Sequence, residues 1–161
     1  MSARRARLAL VAVAVGLSGC ATGDLSFRQD VRLSIVDPAD RSDVAQPFEV
    51  RWTLRDPRPN ELQFAMLVDQ RPPRPGQSIE SLLPDEVRDS TRCDAACRTA
   101  ALAARGVTVT TDTASVVERL ARRHGVSAER RRRHEVSVIV LDADLRRVGE
   151  AIAVVEVDAA P

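Results

Sequence analysis

The feature that most constrains this chain is a strict alternation of apolar and polar residues along positions 48–55. Phe48, Val50, Trp52 and Leu54 alternate with charged residues and a threonine. In a β-strand these four side chains share one face, whereas a helix would spread them around its circumference. The segment is therefore predicted to be a strand with one buried and one solvated face. Trp52 points inward in this arrangement and is predicted to be a core residue.

Five further segments show the same alternation, at 31–35, 62–68, 107–110, 136–140 and 148–157. The last two are joined by an Asp-rich turn, which predicts a β-hairpin. Strands with short connections and no regular alternation with helices favour an antiparallel sandwich over a parallel sheet. The fold class is therefore predicted to be mainly β. The extra length of the chain is expected between the third strand and the final hairpin.

One or two short helices are expected within that insertion. The alanine-rich segment 94–105 is followed by Gly106, which predicts a helix with a glycine C-cap. Residues 79–83 can form a single helical turn. Over 114–124 the spacing of the apolar residues favours a helix with Thr113 as its N-cap, and a strand stays open as the alternative.

The first twenty residues have the three zones of a bacterial export signal. Arginines at positions 4, 5 and 7 precede an apolar run at 8–17, and the tetrapeptide LSGC ends at Cys20. A helix of that length spans about 15 Å, half of the ~30 Å hydrocarbon core, so a signal segment is favoured over a spanning helix. LSGC resembles the bacterial lipobox, whose cysteine carries the lipid. Residues 1–19 are therefore predicted to be a lipoprotein signal peptide and 20–29 a lipidated tether, with an ordinary secretory signal as the alternative.

Lipidation of Cys20 implies a mature protein on the extracytoplasmic face of the cell membrane. Two acyl chains hold a protein stably on a bilayer, whereas a single chain is marginal. The leader contains three of the 24 basic residues and none of the 23 acidic ones, so the mature chain has a formal charge of −2. A nucleic-acid partner requires a strongly basic face, so none is expected.

Two parts of the chain resemble known extracytoplasmic proteins. The run VRLSIVDPADRSDVAQPFEVRWTL, at 31–54, is similar to the opening of bacterial immunoglobulin-like and fibronectin-type-III-like domains. The later runs FAMLVDQRPPRPGQS, VTVTTDT and HEVSVIVLD resemble small lipoproteins of actinobacteria. The resemblance implies that residues 30–158 form an antiparallel immunoglobulin-like β-sandwich with one or two short inserted helices. It implies a location outside the cytoplasm and no particular chemistry.

Cys93 and Cys97 are the sharpest internal feature. An even pair in an oxidising compartment favours a local disulfide, which adds roughly 2 kcal/mol for so short a loop. A zinc site would need His124 and His134 to complete its ligands, and a thioredoxin-type redox site has two intervening residues instead of three. The disulfide is predicted, and no metal and no cofactor are expected.

No catalytic motif is recognisable in the sequence. The chain lacks the G-x-S-x-G nucleophile elbow, a glycine-rich phosphate loop and the H-E-x-x-H zinc motif, so an enzyme is not expected. Asp142 and Asp144 have the spacing of a cation site but lack the further oxygen ligands of a calcium loop. A hairpin turn is therefore predicted there.

The predicted function is a non-catalytic interaction module of the cell envelope, whose loops at 70–78 and 84–106 contact a protein partner. Six arginines are candidate contacts: Arg71 and Arg74 in the first loop, and the run of Arg130, Arg131, Arg132 and Arg133. For the run a plain solvated loop is favoured, and contact with anionic head groups or wall polymers is the functional alternative. The alternative function is a carrier of a small ligand or metal beneath the inserted segment, using the two histidines and the two internal cysteines.

Overall fold

The computed structural model describes residues 31–121 and 132–160. This part of the chain is mainly β, as predicted. Its strands are β1 (Leu33–Asp37), β2 (Ser42–Val44), β3 (Phe48–Leu54), β4 (Gln63–Val68), β5 (Val107–Thr110), β6 (Ala114–Val117), β7 (Arg133–Leu141) and β8 (Arg147–Ala159). Its helices are α1 (Asp85–Arg88) and α2 (Ala95–Ala104), preceded by a 3-10 turn at Ile79–Leu82. None of the helices in these two ranges has the length and apolar character needed to cross a membrane.

The strands form two sheets. One sheet has the order β1-β3-β6, and the other has the order β2-β8-β7-β4-β5. All neighbouring strands are antiparallel except β2 and β8, which run parallel with Ser42 opposite Val157. The prediction of a purely antiparallel arrangement is therefore wrong at this edge. Strand β2 was not predicted, because it lies between Pro38 and Pro47 and is too short to show an alternation.

The two sheets face each other across one hydrophobic core. Val50 and Trp52 of β3 point into this core, as the alternation predicted, and are 0% and 2% exposed. Met66 and Val138 meet them from the five-stranded sheet. The Trp52 ring meets the Phe64 ring edge-on, with centroids 5.6 Å apart. This geometry adds about 1 kcal/mol to the gain from burial.

Strand β4 is buried on both of its faces. Met66 faces the main core, but Ala65 and Leu67 on either side of it belong to a second cluster on the outer face of the five-stranded sheet. The insertion between β4 and β5 covers that face through Ile79 of the 3-10 turn and Leu102 of α2. The alternation at 62–68 predicted only one buried face. Ala65 and Leu67, which lie between the inward-facing residues of β4, are apolar, and this is the sequence signal that its outer face is also buried.

The helix favoured over residues 114–124 is wrong at its start. Ala114–Val117 forms β6, which pairs antiparallel with β3. The carbonyl of Thr113, the predicted N-cap, accepts a backbone hydrogen bond from β3 at 3.0 Å. Val117 and Leu120 are both buried, and their spacing fits a helix as well as a strand end, so pairing with β3 decides the outcome. The remainder of the predicted helix, from position 122 onward, lies outside the described residues.

Helix α2 forms where the alanine-rich segment predicted it. Asp94 caps its N-terminus, because the Oδ1 atom of Asp94 accepts the Cys97 N–H at 2.9 Å. Gly106 follows the helix with a φ of +78°. A Cβ atom at this position would lie 2.9 Å from the carbonyl oxygen of Val68. Glycine is therefore required by the left-handed backbone and by the close approach of β4.

The strand directions give the domain two distinct ends. Strand β1 begins beside the end of β3, where Leu33 lies opposite Leu54. The Leu62 N–H donates to the Leu141 carbonyl 3.0 Å away, which brings the β3–β4 connection to the β7–β8 hairpin turn. We call this end the N-terminal pole. The opposite pole contains the end of β4, the end of β6 and the start of β7.

A buried ion pair joins the start of the described chain to the β3–β4 connection. Nη1 and Nη2 of Arg32 donate to the Glu61 carboxylate at 3.0 and 2.7 Å, and the Arg58 N–H donates to it at 2.7 Å. The side chain of Glu61 is fully buried. The hydrogen bonds from Arg32 hold the pKa of Glu61 below its ordinary value of 4.5, against the opposing effect of burial. A charged Glu61 therefore fixes the chain just before β1.

We expect Glu61→Gln to lower the free energy of unfolding by about 2–3 kcal/mol at neutral pH, because Arg32 loses a buried charged partner. The pKa of Glu61 is lower in the folded than in the unfolded chain, so this stabilisation is present above pH 4.5 and is lost as the pH falls through the folded-state pKa. Urea unfolding at neutral and acidic pH measures both effects. The matched control is Glu49→Gln, since Glu49 is exposed. An equal loss in the two variants would contradict the role of Glu61.

Candidate interaction site

The segment 70–78, which we call the proline loop, connects the end of β4 to the 3-10 turn. Its prolines at 72, 73 and 75 cannot donate backbone hydrogen bonds, so the loop cannot join a sheet as a regular strand. A turn forms within it. The Gln77 N–H donates to the Arg74 carbonyl at 3.0 Å, and the Arg74 N–H donates to Gln77 Oε1 at 3.0 Å.

Arg147, the first residue of β8, holds the proline loop in place. Its side chain is 9% exposed, and its Nη1 donates to the Pro73 carbonyl at 2.9 Å. The backbone of Arg147 makes two more bonds to the loop. Its N–H donates to the Gln77 carbonyl at 2.9 Å, and the Gly76 N–H donates to its carbonyl at 2.8 Å. The loop is thereby attached to the β7–β8 hairpin near the N-terminal pole.

The guanidinium of Arg147 is buried mainly against carbonyl oxygens. Burial lowers the pKa of Arg147, and the Glu150 carboxylate, 4.0 Å away, opposes this effect without overcoming it. Burying a charge is unfavourable unless the charge is hydrogen-bonded, so the bond to Pro73 offsets part of the desolvation, while Nε of Arg147 is buried without a partner among the described residues. The burial of Arg147 and the position of the proline loop therefore depend on each other.

Arg71 and Arg74, the predicted contact residues of the proline loop, are both exposed. Neither side chain forms an ion pair with any residue that the structure describes. Because Arg147 fixes the backbone beneath them, a partner that binds here would not have to order a flexible loop, which keeps the entropic cost of binding low. The two guanidiniums are thus exposed on a fixed backbone.

The arginine run differs from the proline loop. Arg133 lies on β7, 3.9 Å from Glu156 and 3.8 Å from Asp158 of β8, so carboxylates on the neighbouring strand already accompany its charge. Arg132 is exposed beside it. The other two predicted contact residues, Arg130 and Arg131, lie outside the described residues.

Cys93 and Cys97 form the predicted disulfide, with their Cα atoms 5.2 Å apart. Cys93 is buried just before the N-cap of α2, and Cys97 is exposed in its first turn. The disulfide uses both thiols, so two of the four ligands of the alternative metal site are not available. His124, a third, lies outside the described residues. Within 31–121 and 132–160, no three His, Cys, Asp or Glu side chains form a group that could hold a metal ion.

Asp69 and His134 form a contact that no sequence pattern predicted. The Oδ2 atom of Asp69 lies 2.6 Å from Nδ1 of His134, and its Oδ1 accepts the Glu135 N–H at 3.0 Å. Asp69 has a φ of +54°, a left-handed conformation that Asp adopts more readily than most residues. His134 is 2% exposed. The pair joins the end of β4 to the start of β7 at the opposite pole.

Two motifs that could suggest chemistry have structural roles. Ser137 follows His134 on β7 at an odd spacing, which puts the two side chains on opposite faces of the strand and prevents a Ser-His-Asp arrangement. In the β7–β8 turn, the Oδ1 atom of Asp142 accepts the N–H groups of Asp144 and Arg146 at 2.9 and 2.8 Å. This carboxylate stabilises the predicted hairpin turn.

Comparisons of this chain with protein-family models, with curated proteins and with solved structures give no match. The predicted signal peptide at 1–19, the lipidated Cys20 and the tether lie outside the described residues. Function must therefore be inferred from the chemistry of the chain itself.

We expect Arg147→Ala to loosen the proline loop and to lower the free energy of unfolding by about 2–3 kcal/mol, because the side-chain bond to Pro73 is lost and a void remains, while the two backbone bonds persist. Hydrogen exchange measured at the Gly76 amide should become faster. The control is Arg146→Ala, since Arg146 is exposed and makes one 3.2 Å side-chain bond to the same loop. The same exchange rate at Gly76 in both variants would show that Arg147 does not hold the loop.

Proposed function

We propose that this chain is a lipid-anchored extracytoplasmic protein, and that its immunoglobulin-like domain is a non-catalytic interaction module of the cell envelope. The observation that carries this proposal is the proline loop, which exposes Arg71 and Arg74 on a backbone held by the buried Arg147. Binding residues are commonly found on loops that a rigid scaffold positions. The proline loop is such a loop, because its bonds to Arg147 attach it to β8.

The strand order supports the immunoglobulin-like classification. In variable-type immunoglobulin domains, strands A, B and E share one sheet, and strands G, F, C and C′ share the other. The order β1-β3-β6 matches A, B and E, and the order β8-β7-β4-β5 matches G, F, C and C′. Antibody domains carry their buried tryptophan on strand C, whereas Trp52 lies on the equivalent of strand B. The likeness is therefore in topology and not in the core motif.

The N-terminal sequence and the disulfide support the location. The basic residues, the apolar run at 8–17 and the LSGC tetrapeptide ending at Cys20 agree with one another as parts of a lipoprotein signal. The Cys93–Cys97 disulfide is typical of an oxidising compartment, since such bonds are rare in cytosolic proteins.

The position of the proline loop suggests where a partner would lie. The described chain begins at the N-terminal pole, and the loop is attached to the start of β8 at the same pole. Residues 20–30 span at most about 36–40 Å when fully extended. A partner of the loop would therefore lie close to the membrane. Two exposed arginines that form no ion pair with a described residue favour an envelope protein with an acidic surface.

A second function, the carriage of a small ligand, is favoured by a cavity of about 460 Å³ at the opposite pole. The metal-binding form of this alternative is weaker, because the disulfide uses both internal thiols. Arg71 and Arg74 do not line the cavity, so the two functions use different side chains and one protein can perform both.

Cys20→Ser should abolish the incorporation of an alkyne-tagged palmitate in native cells and move the protein from the membrane fraction to the soluble fraction. The reason is that lipid attachment requires the thiol at this position. The matched control is the double variant Cys93→Ser, Cys97→Ser, which should keep the label. Labelling of the Cys20→Ser protein would contradict the anchor.

Replacing Arg71 and Arg74 together with glutamine should abolish capture of an envelope protein by crosslinking in intact cells, followed by mass spectrometry. The thermal midpoint should not change, because neither side chain forms an ion pair with a described residue. The control removes the same charge at two exposed arginines elsewhere, Arg55→Gln with Arg92→Gln. Unchanged capture in the loop variant would exclude the loop as the contact site.

A further inference from the structure

A cavity of about 460 Å³ opens at the opposite pole, between the edges of the two sheets. Met66 and Val68 of β4 and Val117 of β6 give it an apolar floor. Met66 and Val117 are only 2% and 5% exposed, so the cavity reaches the edge of the main core. Its volume falls within the range of about 300–1,000 Å³ that is typical of small-molecule sites.

The cavity exists because β5 and β6 are the last strands of their sheets on the same side of the domain. Two contacts fix its walls. Next to Gly106, at the end of α2, the backbone bonds to β4, since the Val68 N–H donates to the Gly106 carbonyl at 2.8 Å. After β6, the Leu120 N–H donates to Gln46 Oε1 at 2.8 Å. The walls are therefore formed before any ligand binds.

The charged residues that line the cavity favour an anion. Arg105 and Arg119 both line it, are exposed, and form no ion pair with a described residue. Asp69 also lines it, but its carboxylate is already bonded to His134. Glu118 is the one other acidic residue among the described lining residues. A ligand carboxylate would gain charge-assisted hydrogen bonds from either arginine.

We propose that the cavity binds a small amphipathic carboxylate. Its apolar chain lies against Met66, Val68 and Val117, and its carboxylate contacts Arg105 and Arg119. A cation of the same shape would be repelled by the two guanidiniums, and a neutral molecule would gain only the burial of its apolar chain. Gln70, the first residue of the proline loop, lines this cavity, but Arg71 and Arg74 do not, so the site does not depend on the proposed contact with an envelope protein.

The test uses three probes of equal chain length, octanoate, octylammonium and 1-octanol, titrated into the purified full chain carrying Cys20→Ser. Methyl NMR resonances of Met66, Val68 and Val117 report binding in the cavity. Octanoate should shift these resonances and bind about tenfold more tightly than octylammonium, the ratio expected from one charge-assisted hydrogen bond at an exposed rim. Octanol should bind with an intermediate affinity.

Charge variants separate the contribution of the two arginines at the rim of the cavity from that of its apolar floor. Arg105→Gln and Arg119→Gln should each weaken octanoate binding about threefold to tenfold and leave octanol binding unchanged. The matched control is Arg92→Gln, which removes an exposed arginine beside the disulfide and should change neither affinity. The Arg71 and Arg74 double variant should keep full octanoate binding, which separates this proposal from the interaction proposal.

Three results would overturn the proposal. The first is equal affinity for octanoate and octylammonium, which would remove the preference for an anion. The second is octanoate-induced shifts confined to methyl groups outside the cavity, which would place the site elsewhere. The third is the absence of saturable octanoate binding at millimolar concentrations.

Discussion

The arrangement of the whole domain depends on covering β4 and β7 on both faces. Met66 and Val138 face the three-stranded sheet, whereas Leu67 and Ile139 face outward. Each Å² of exposed apolar surface costs about 25 cal/mol, so both faces need a cover. The three-stranded sheet covers one, and the insertion between β4 and β5 covers the other with its 3-10 turn and α2. The insertion is therefore a structural layer, and the glycine turn into β5 and the hydrogen bonds of Arg147 keep it against the sheet.

Much of the fold could be predicted because many of its strands and helices are specified by the pattern of their own residues. The alternation along β3 and the alanine-rich run of α2 are complete local signals. The spacing of the apolar residues over 114–124 favoured a helix, and pairing with β3 makes 114–117 a strand instead. At the candidate site, the prolines predicted a loop at 70–78, but no pattern in the sequence predicted that Arg147 holds it in place. Asp69 and His134 are 65 positions apart, and Arg147 and Pro73 are 74 apart. No local pattern identifies such contacts.

The two poles differ in chemistry. The N-terminal pole combines the start of the described chain, the buried ion pair of Arg32 and Glu61, and the part of the proline loop that Arg147 holds. The opposite pole has an apolar cavity at the edge of the core. In a protein tethered through its N-terminus, the first pole would face the membrane and the second would face away from it. A protein partner and a small ligand could then bind together without competing for the same residues.

The strands at the four sheet edges are all short. Strands β1, β2, β5 and β6 have five, three, four and four residues. The pairing of β1 is also interrupted by a register shift between Ile35 and Asp37. Such edges offer few consecutive free N–H and C=O groups to another sheet. Proteins confined to a membrane surface meet their own copies far more often than the same proteins in solution. The short edges therefore oppose polymerisation of this domain through its sheets in the crowded layer where we propose that it works.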